Sequence, residues 1–386
     1  MELYLHIPFC AAKCRYCDFE SYAGCASRMP AYVDALLKEM SAQADALGHP
    51  AVETVFIGGG TPSLLPPDEL RRILQGVHDH FDIRPDAEFT AEANPGTLTA
   101  EWLDIAVAGG LNRLSMGMQA FQPELLRLLG RIHRFDQVES SLKLARAAGI
   151  ANVSLDLMFG LPTQTEEQWR ATLDAACALS PQHLSCYGLI PEDGTPLKHD
   201  LDAGILTLPD EEAERRMYDD TLRLLAQRGY RQYEISNFAL PGYECRHNLG
   251  YWRQIPYLGL GAAASSMLPD ASGRCRYLRV TNPAGLDEYI RMIDDHSDAR
   301  EVVEVSPKDA RFETVMLGLR TTQGVSEAAF RQMHGCTMDA CWGNTLRRLA
   351  SDGLLIREDG CWRLTRRGMD VQNAVLVELM DEEPAP

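Results

Sequence analysis

From residue 3 to about residue 187, short apolar runs alternate with amphipathic stretches. That alternation narrows the fold more than any other feature of this 386-residue chain. The runs at 3–6, 52–57, 88–93, 113–116, 153–156 and 183–187 are the expected strands. The stretches at 31–46, 68–80, 100–108, 135–148 and 166–178 are the expected helices between them. Val33, Leu36, Leu37 and Met40 show the three-and-four spacing of a helix with one buried face. Strands joined by crossover helices pair in parallel with right-handed connections. Six such units are too few for a closed eightfold barrel, so the expected fold is α/β, a partial, open (β/α)6 barrel over residues 1–208. A flat doubly wound sheet is the competing arrangement.

The alternation breaks down after residue 208. A helix at 210–228, a short run at 230–235, a turn-rich stretch and the small-residue run 259–266 read as an extension, residues 209–300, that continues or flanks the sheet. After the polar segment 294–306, residues 301–386 form a mainly helical tail. Helices are expected at 310–319, 326–333 and 338–352, then a hairpin of 354–358 and 362–365 turned by Asp359 and Gly360, then a helix from about 366 to 379. Three helices and a hairpin give a winged-helix-like outline. From 307 to 386 there are 10 basic and 12 acidic residues, a net of −2, whereas DNA-binding modules present a basic face. The tail is therefore expected to pack or to meet a protein partner.

Over the whole chain, 37 basic against 55 acidic residues leave a net charge of −18, which repels nucleic acid and anionic membrane surfaces. No run of about 18 apolar residues exists for a transmembrane segment. The first residues lack the basic start and long apolar stretch of a secretory signal. Eleven irregularly spaced cysteines do not make a disulfide framework. The expectation is a reduced, cytoplasmic protein with thiols available to a metal.

Three of those thiols, Cys10-x3-Cys14-x2-Cys17, directly follow the first strand. A structural zinc site wants a fourth ligand, and no second CxxC or HxxxH occurs; His6 is the one nearby candidate. An iron–sulfur cube explains three ligands better, because three irons take thiolates and the fourth stays open. At the end of the second strand, Gly58, Gly59, Gly60 and Thr61 form a run that lets backbone approach a ligand closely. Further strand ends bring Glu92, Gln119, Arg131 and Asp156 toward the same mouth. Asp156, between Leu155 and Leu157, is costly to bury unless it is paired or binds something.

CxxxCxxC after strand one, in the segment from Tyr4 to Phe19, resembles the radical S-adenosylmethionine (SAM) superfamily. More narrowly, it resembles the branch that holds oxygen-independent coproporphyrinogen III oxidase and the heme chaperone HemW. The resemblance implies a partial (β/α)6 radical SAM barrel and a [4Fe-4S] cluster on Cys10, Cys14 and Cys17. It implies SAM chelated to the open iron and held by Tyr4, Tyr16, Gly59, Gly60, Thr61, Glu92, Gln119, Arg131 and Asp156. In that family an electron delivered to the cluster by a reductant cleaves SAM to a 5′-deoxyadenosyl radical.

Two departures separate the chain from the oxidase. Phe19 stands where the oxidase carries a fourth cysteine, and only nine residues precede Cys10. His247, Asn248, Tyr251 and Trp252 form an HNxxYW motif typical of the heme-chaperone type. Imidazole ligates heme iron and aromatic rings stack on a macrocycle, so His247 is the expected heme ligand; a histidine satisfied by neighbouring polar groups is the competing reading. The resemblance therefore implies a chaperone that binds heme and passes it to an acceptor hemoprotein. The alternative is an oxidoreductase of the oxygen-independent coproporphyrinogen III oxidase type.

Overall fold

A computed structural model describes residues 1–381. Six parallel strands form the centre: β1 (Glu2–Ile7), β2 (Ala51–Gly59), β3 (Asp82–Ala93), β4 (Arg113–Gln119), β5 (Asn152–Phe159) and β6 (His183–Gly188). They lie side by side in chain order. Consecutive order is the signature of an open barrel, since a doubly wound sheet reverses direction partway across. Both faces of β4 are buried throughout, as parallel strands require when helices cover them.

Local sequence sets the helices. The crossover Glu166–Ala178 starts on a Thr165/Gln168 capping box, and Met29–Leu47 ends at Gly48 with a left-handed φ of 70°. One core joins these helices to the sheet, with Trp169 fully buried. The Trp169 indole donates to Met217 O and Thr221 Oγ1, both at 3.0 Å.

The sheet extends past the six strands at both edges, to twelve strands in all among the described residues. Asn237–Ala239 pairs antiparallel with β6, while Tyr257–Leu260 pairs parallel with β1. Ser265–Pro269, Tyr277–Thr281 and Glu301–Val305 follow antiparallel on that second edge. Between the two edges, where a turn-rich stretch was expected, the HNxxYW motif forms a helix, Arg246–Trp252.

This short helix plugs the N-terminal end of the barrel. The Glu88 carboxylate on β3 accepts from Arg246 N at 3.0 Å and His247 N at 3.1 Å, occupying amides that a helix start leaves free. The polar stretch before the tail also holds a strand, Glu301–Val305, in which Val302 and Val303 face solvent and weaken the apolar signal.

The tail has its own core. Helices Pro307–Gly318, Glu327–His334 and Met338–Ser351 precede the hairpin Leu355–Glu358 and Cys361–Leu364. Val325–Ser326 adds a third strand beside the hairpin. The expected last helix breaks at Val371 into Arg366–Asp370 and Gln372–Asp381. Among the described residues no helix is long and apolar enough to cross a membrane.

Candidate functional site

The C-terminal ends of the six strands open on a cavity of about 430 Å³. Cys10, Cys14, Cys17, Tyr16, Gly59, Gly60, Glu92, Gln119, Arg131 and Asp156 all line it. Ten sequence candidates scattered over about 150 residues thus meet in one place.

The cysteine loop is pinned at its middle. Arg15 N donates to Leu129 O at 2.9 Å, Leu197 N donates to Arg15 O at 2.9 Å, and the Arg15 guanidinium meets Asp200 at 2.5 Å. Donors point at the sulfurs. Arg131 Nη1 lies 3.5 Å from Cys14 Sγ, and Thr61 Oγ1 lies 3.7 Å from Cys10 Sγ. Such donors suit thiolates, which accept hydrogen bonds and carry negative charge.

All three thiols are free. Among the described residues, no three His, Cys, Asp or Glu side chains draw close enough to hold a single ion. Three free thiols on one loop, with hydrogen-bond donors beside two of them, are a donor set that a cluster with one open iron can take. His6 is not a fourth ligand: Nδ1 bonds Tyr4 Oη at 3.0 Å and Nε2 bonds Glu20 O at 2.8 Å.

The glycine run abuts backbone. A Cβ on Gly60 would sit 2.7 Å from Phe9 O and 2.8 Å from Phe9 N; Gly59 has φ 109°, which disfavours a side chain. Gly59 N donates to Glu92 Oε2 at 3.0 Å. Glu92 and Asp156 face the cavity with protein on every other side. Desolvation, then repulsion from Asp156, push the Glu92 carboxyl up to about 7, while the Gly59 amide and Arg113 pull it back. Burial raises Asp156 too, against hydrogen bonds from Ser185, Ser115 and Ser154 and the charge of Arg113. Two recessed carboxyls with spare lone pairs can accept hydroxyl donors from a ligand.

Gln119 stands at a bulge in the β4–β5 ladder with φ 63°, a strained angle for a side chain that here turns it into the cavity. Arg131 spans the mouth, with Nη2 donating to Asn94 Oδ1 at 2.6 Å and Gly117 O at 2.7 Å.

Three candidates lie elsewhere. Tyr4 and Thr61 sit one layer behind the lining. Tyr4 stacks near Phe56 with its hydroxyl on His6, and Thr61 accepts from Asn94 Nδ2 at 2.8 Å. His247 is inside the barrel plug and 1% exposed. Its Nδ1 bonds Thr54 Oγ1 at 2.7 Å and its Nε2 bonds Tyr251 Oη at 2.9 Å. Burial, with a smaller push from Arg113, lowers its pKa to about 3, so the imidazole is neutral. In this conformation both ring nitrogens of His247 are hydrogen-bonded, and the ring ties the plug helix to β2.

Sequence reading missed Asn94, Arg113, Ser115, Ser185 and Asn248, which also line the cavity. Arg113 and Ser115 share the inward face of β4 with Gly117, so strand periodicity alone could have found them. Asn248 belongs to the HNxxYW motif, where attention went to the histidine beside it.

Comparison with known proteins agrees with this geometry. Residues 4–176 match the radical SAM superfamily model and residues 305–371 match the HemN C-terminal domain. The heme chaperone HemW of Bacillus subtilis (strain 168) is 37% identical over 98% of this chain and 99% of its own length. HemW of Escherichia coli (strain K12) is 35% identical, covering 97% of each. The bovine radical S-adenosyl methionine domain-containing protein 1, mitochondrial, is 34% identical over 98% of this chain and 87% of its own. In fold, coproporphyrinogen III oxidase (HemN) from Escherichia coli superposes with a TM-score of 0.83 at 24% identity, covering 98% of this chain and 89% of the other. The cavity and the near-full-length likeness agree: the chain belongs to the radical SAM superfamily, within the HemW heme-chaperone family.

Proposed function

We propose that this chain is a heme chaperone that binds heme and transfers it to acceptor hemoproteins, and that its barrel carries a [4Fe-4S] cluster and SAM. One observation carries the reading: relatives named heme chaperone HemW match it at 34–37% identity over 97–98% of its length. In this reading Cys10, Cys14 and Cys17 hold the cluster. Gly59, Gly60, Glu92, Gln119, Arg131, Asp156 and Tyr16 hold SAM, with Tyr4 and Thr61 supporting from behind. When bound, the cluster supplies one electron at a time from a reductant, and SAM supplies its open coordination site with a chelating ligand.

In this reading heme binds outside the barrel. The inner cavity is already lined for a polar cofactor, and His247 is engaged. Large apolar side chains are exposed on the loops that follow the strands: Phe19, Ile132, Ile190 and Ile205. A flat apolar macrocycle would find apolar partners among such side chains. Phe19 also lines the cavity mouth. No helix among the described residues is suited to cross a membrane, and a reducing, cytoplasmic setting matches eleven free thiols.

The test uses anaerobically reconstituted full-length protein, mixed with heme in one arm and with coproporphyrinogen III, SAM and reductant in another. Stoichiometric heme uptake, followed by transfer to an apo-hemoprotein, is expected. Turnover of coproporphyrinogen without heme retention would replace this reading with the oxidoreductase one.

A further inference from the structure

The tail carries two thiols that the barrel chemistry does not use. Cys336 lies just before the helix Met338–Ser351 and Cys341 lies in its first turn. Their Sγ atoms are 3.5 Å apart and both are free. Cys341 is buried, whereas Cys336 is partly exposed. Immediately after Cys341 the backbone leaves helical geometry, with Trp342 at φ −139° and ψ 27°. The turn is therefore not locked by a regular helix. Arg311 lends positive charge to Cys341, and its buried Nε makes no hydrogen bond. No third ligand joins the pair among the described residues, so the geometry is that of two touching thiols rather than of a metal site.

We infer that Cys336 and Cys341 form a reversible dithiol–disulfide couple that exchanges with a low-molecular-weight disulfide such as glutathione disulfide. The Cys336 thiolate attacks one sulfur of glutathione disulfide; that S–S bond breaks, one glutathione thiolate leaves and a mixed disulfide forms. Cys341 then gives up its proton and attacks Cys336 Sγ, expelling the second glutathione thiolate. Two electrons and two protons leave the protein, and glutathione disulfide becomes two glutathiones. Exposure assigns the roles. Cys336 is reachable, and burial pushes the Cys341 thiol up to about 12, which suits a resolving group better than a first attacker. Closure brings the sulfurs to a bond length of about 2.05 Å. The bridge would sit where the tail is tied to the barrel, because Thr314 bonds both His334 Nε2, at 2.8 Å, and Gln254 beyond the plug helix.

The test equilibrates full-length protein anaerobically in glutathione buffers of graded ratio, followed by acid quench, alkylation and trypsin. Cleavage after Arg331 and Arg347 releases residues 332–347, which contain these two cysteines and no other. The peptide is expected to appear unalkylated and lighter by two hydrogens as the oxidised fraction rises, and to revert with dithiothreitol. C341S should stop at glutathionylated Cys336. A peptide doubly alkylated at every ratio, or wild-type protein that retains glutathione on Cys336, would overturn the couple. Should C341S fail to fold, the wild-type peptide decides alone.

Discussion

Replacing His247 with alanine distinguishes a strut from a ligand. The ring holds Thr54 at 2.7 Å and Tyr251 at 2.9 Å, and it stacks on Phe56 with centroids 5.2 Å apart. Truncation removes two hydrogen bonds worth about 1 kcal/mol each. It also removes a ring contact worth about 0.5–1.5 kcal/mol and leaves a small void. A loss of about 3 kcal/mol, at roughly 2–4 °C per kcal/mol for a domain of this size, lowers the barrel transition by about 6–12 °C. Scanning calorimetry of the full chain, without heme, reads this directly.

The pH dependence adds a second handle. The imidazole titrates at about 3 in the folded chain, against about 6.5 when unfolded, so the unfolded state takes the proton first. Its contribution is complete above pH 6.5 and falls by about 1.4 kcal/mol per unit as pH drops toward 3. The gap between wild type and H247A should therefore narrow from pH 7 to pH 5. An unchanged transition at pH 7 combined with lost heme uptake would refute the strut and restore the ligand. A gap that does not vary with pH would refute the neutral buried ring.

Other substitutions probe the cavity. C10S, C14S or C17S should each abolish bound iron and sulfide after anaerobic reconstitution, as read by elemental analysis and the visible spectrum. E92Q should weaken SAM binding by about tenfold to a hundredfold, the value of a hydrogen bond to a charged group. Because Glu92 titrates at about 7 and an ionised acceptor favours hydroxyl donors, wild-type SAM affinity should rise with pH through 7 and then level off. E92Q should flatten that profile in equilibrium titrations. G60A drives a methyl into Phe9 backbone, so it should lower both thermal stability and cluster retention; a well-folded, fully loaded variant would contradict the packing. E88A should destabilise the chain by about 1–3 kcal/mol in urea unfolding, since it leaves the buried His247 amide and the part-buried Arg246 amide without their acceptor.

The parallel barrel was legible because it advertises itself twice, as apolar runs and as the helices between them. The site was legible because its chemistry is concentrated: three thiols, a glycine run and carboxylates at strand ends are rare inside apolar surroundings. What escaped detection was context. The added strands Ser265–Pro269 and Glu301–Val305 bury only part of their side chains, so neither alternates cleanly. The plug helix spans only Arg246–Trp252 and contains Gly250, packed against the Glu2 carboxylate, so local propensity argues against it. His247 carried the right chemistry for a metal, but burial decides whether a nitrogen is available. The two nitrogens are taken up by Thr54 and Tyr251, one of them 193 residues away.

From Asn237–Ala239, paired beside the last barrel strand, the chain passes beneath the floor through Arg246–Trp252 and joins the first strand from the far side at Tyr257. An open barrel has a seam, and here a single short run of polypeptide works as its drawstring. Lengthening the link between Trp252 and Tyr257 would loosen that tie and let the mouth widen, while leaving in place every residue that lines it.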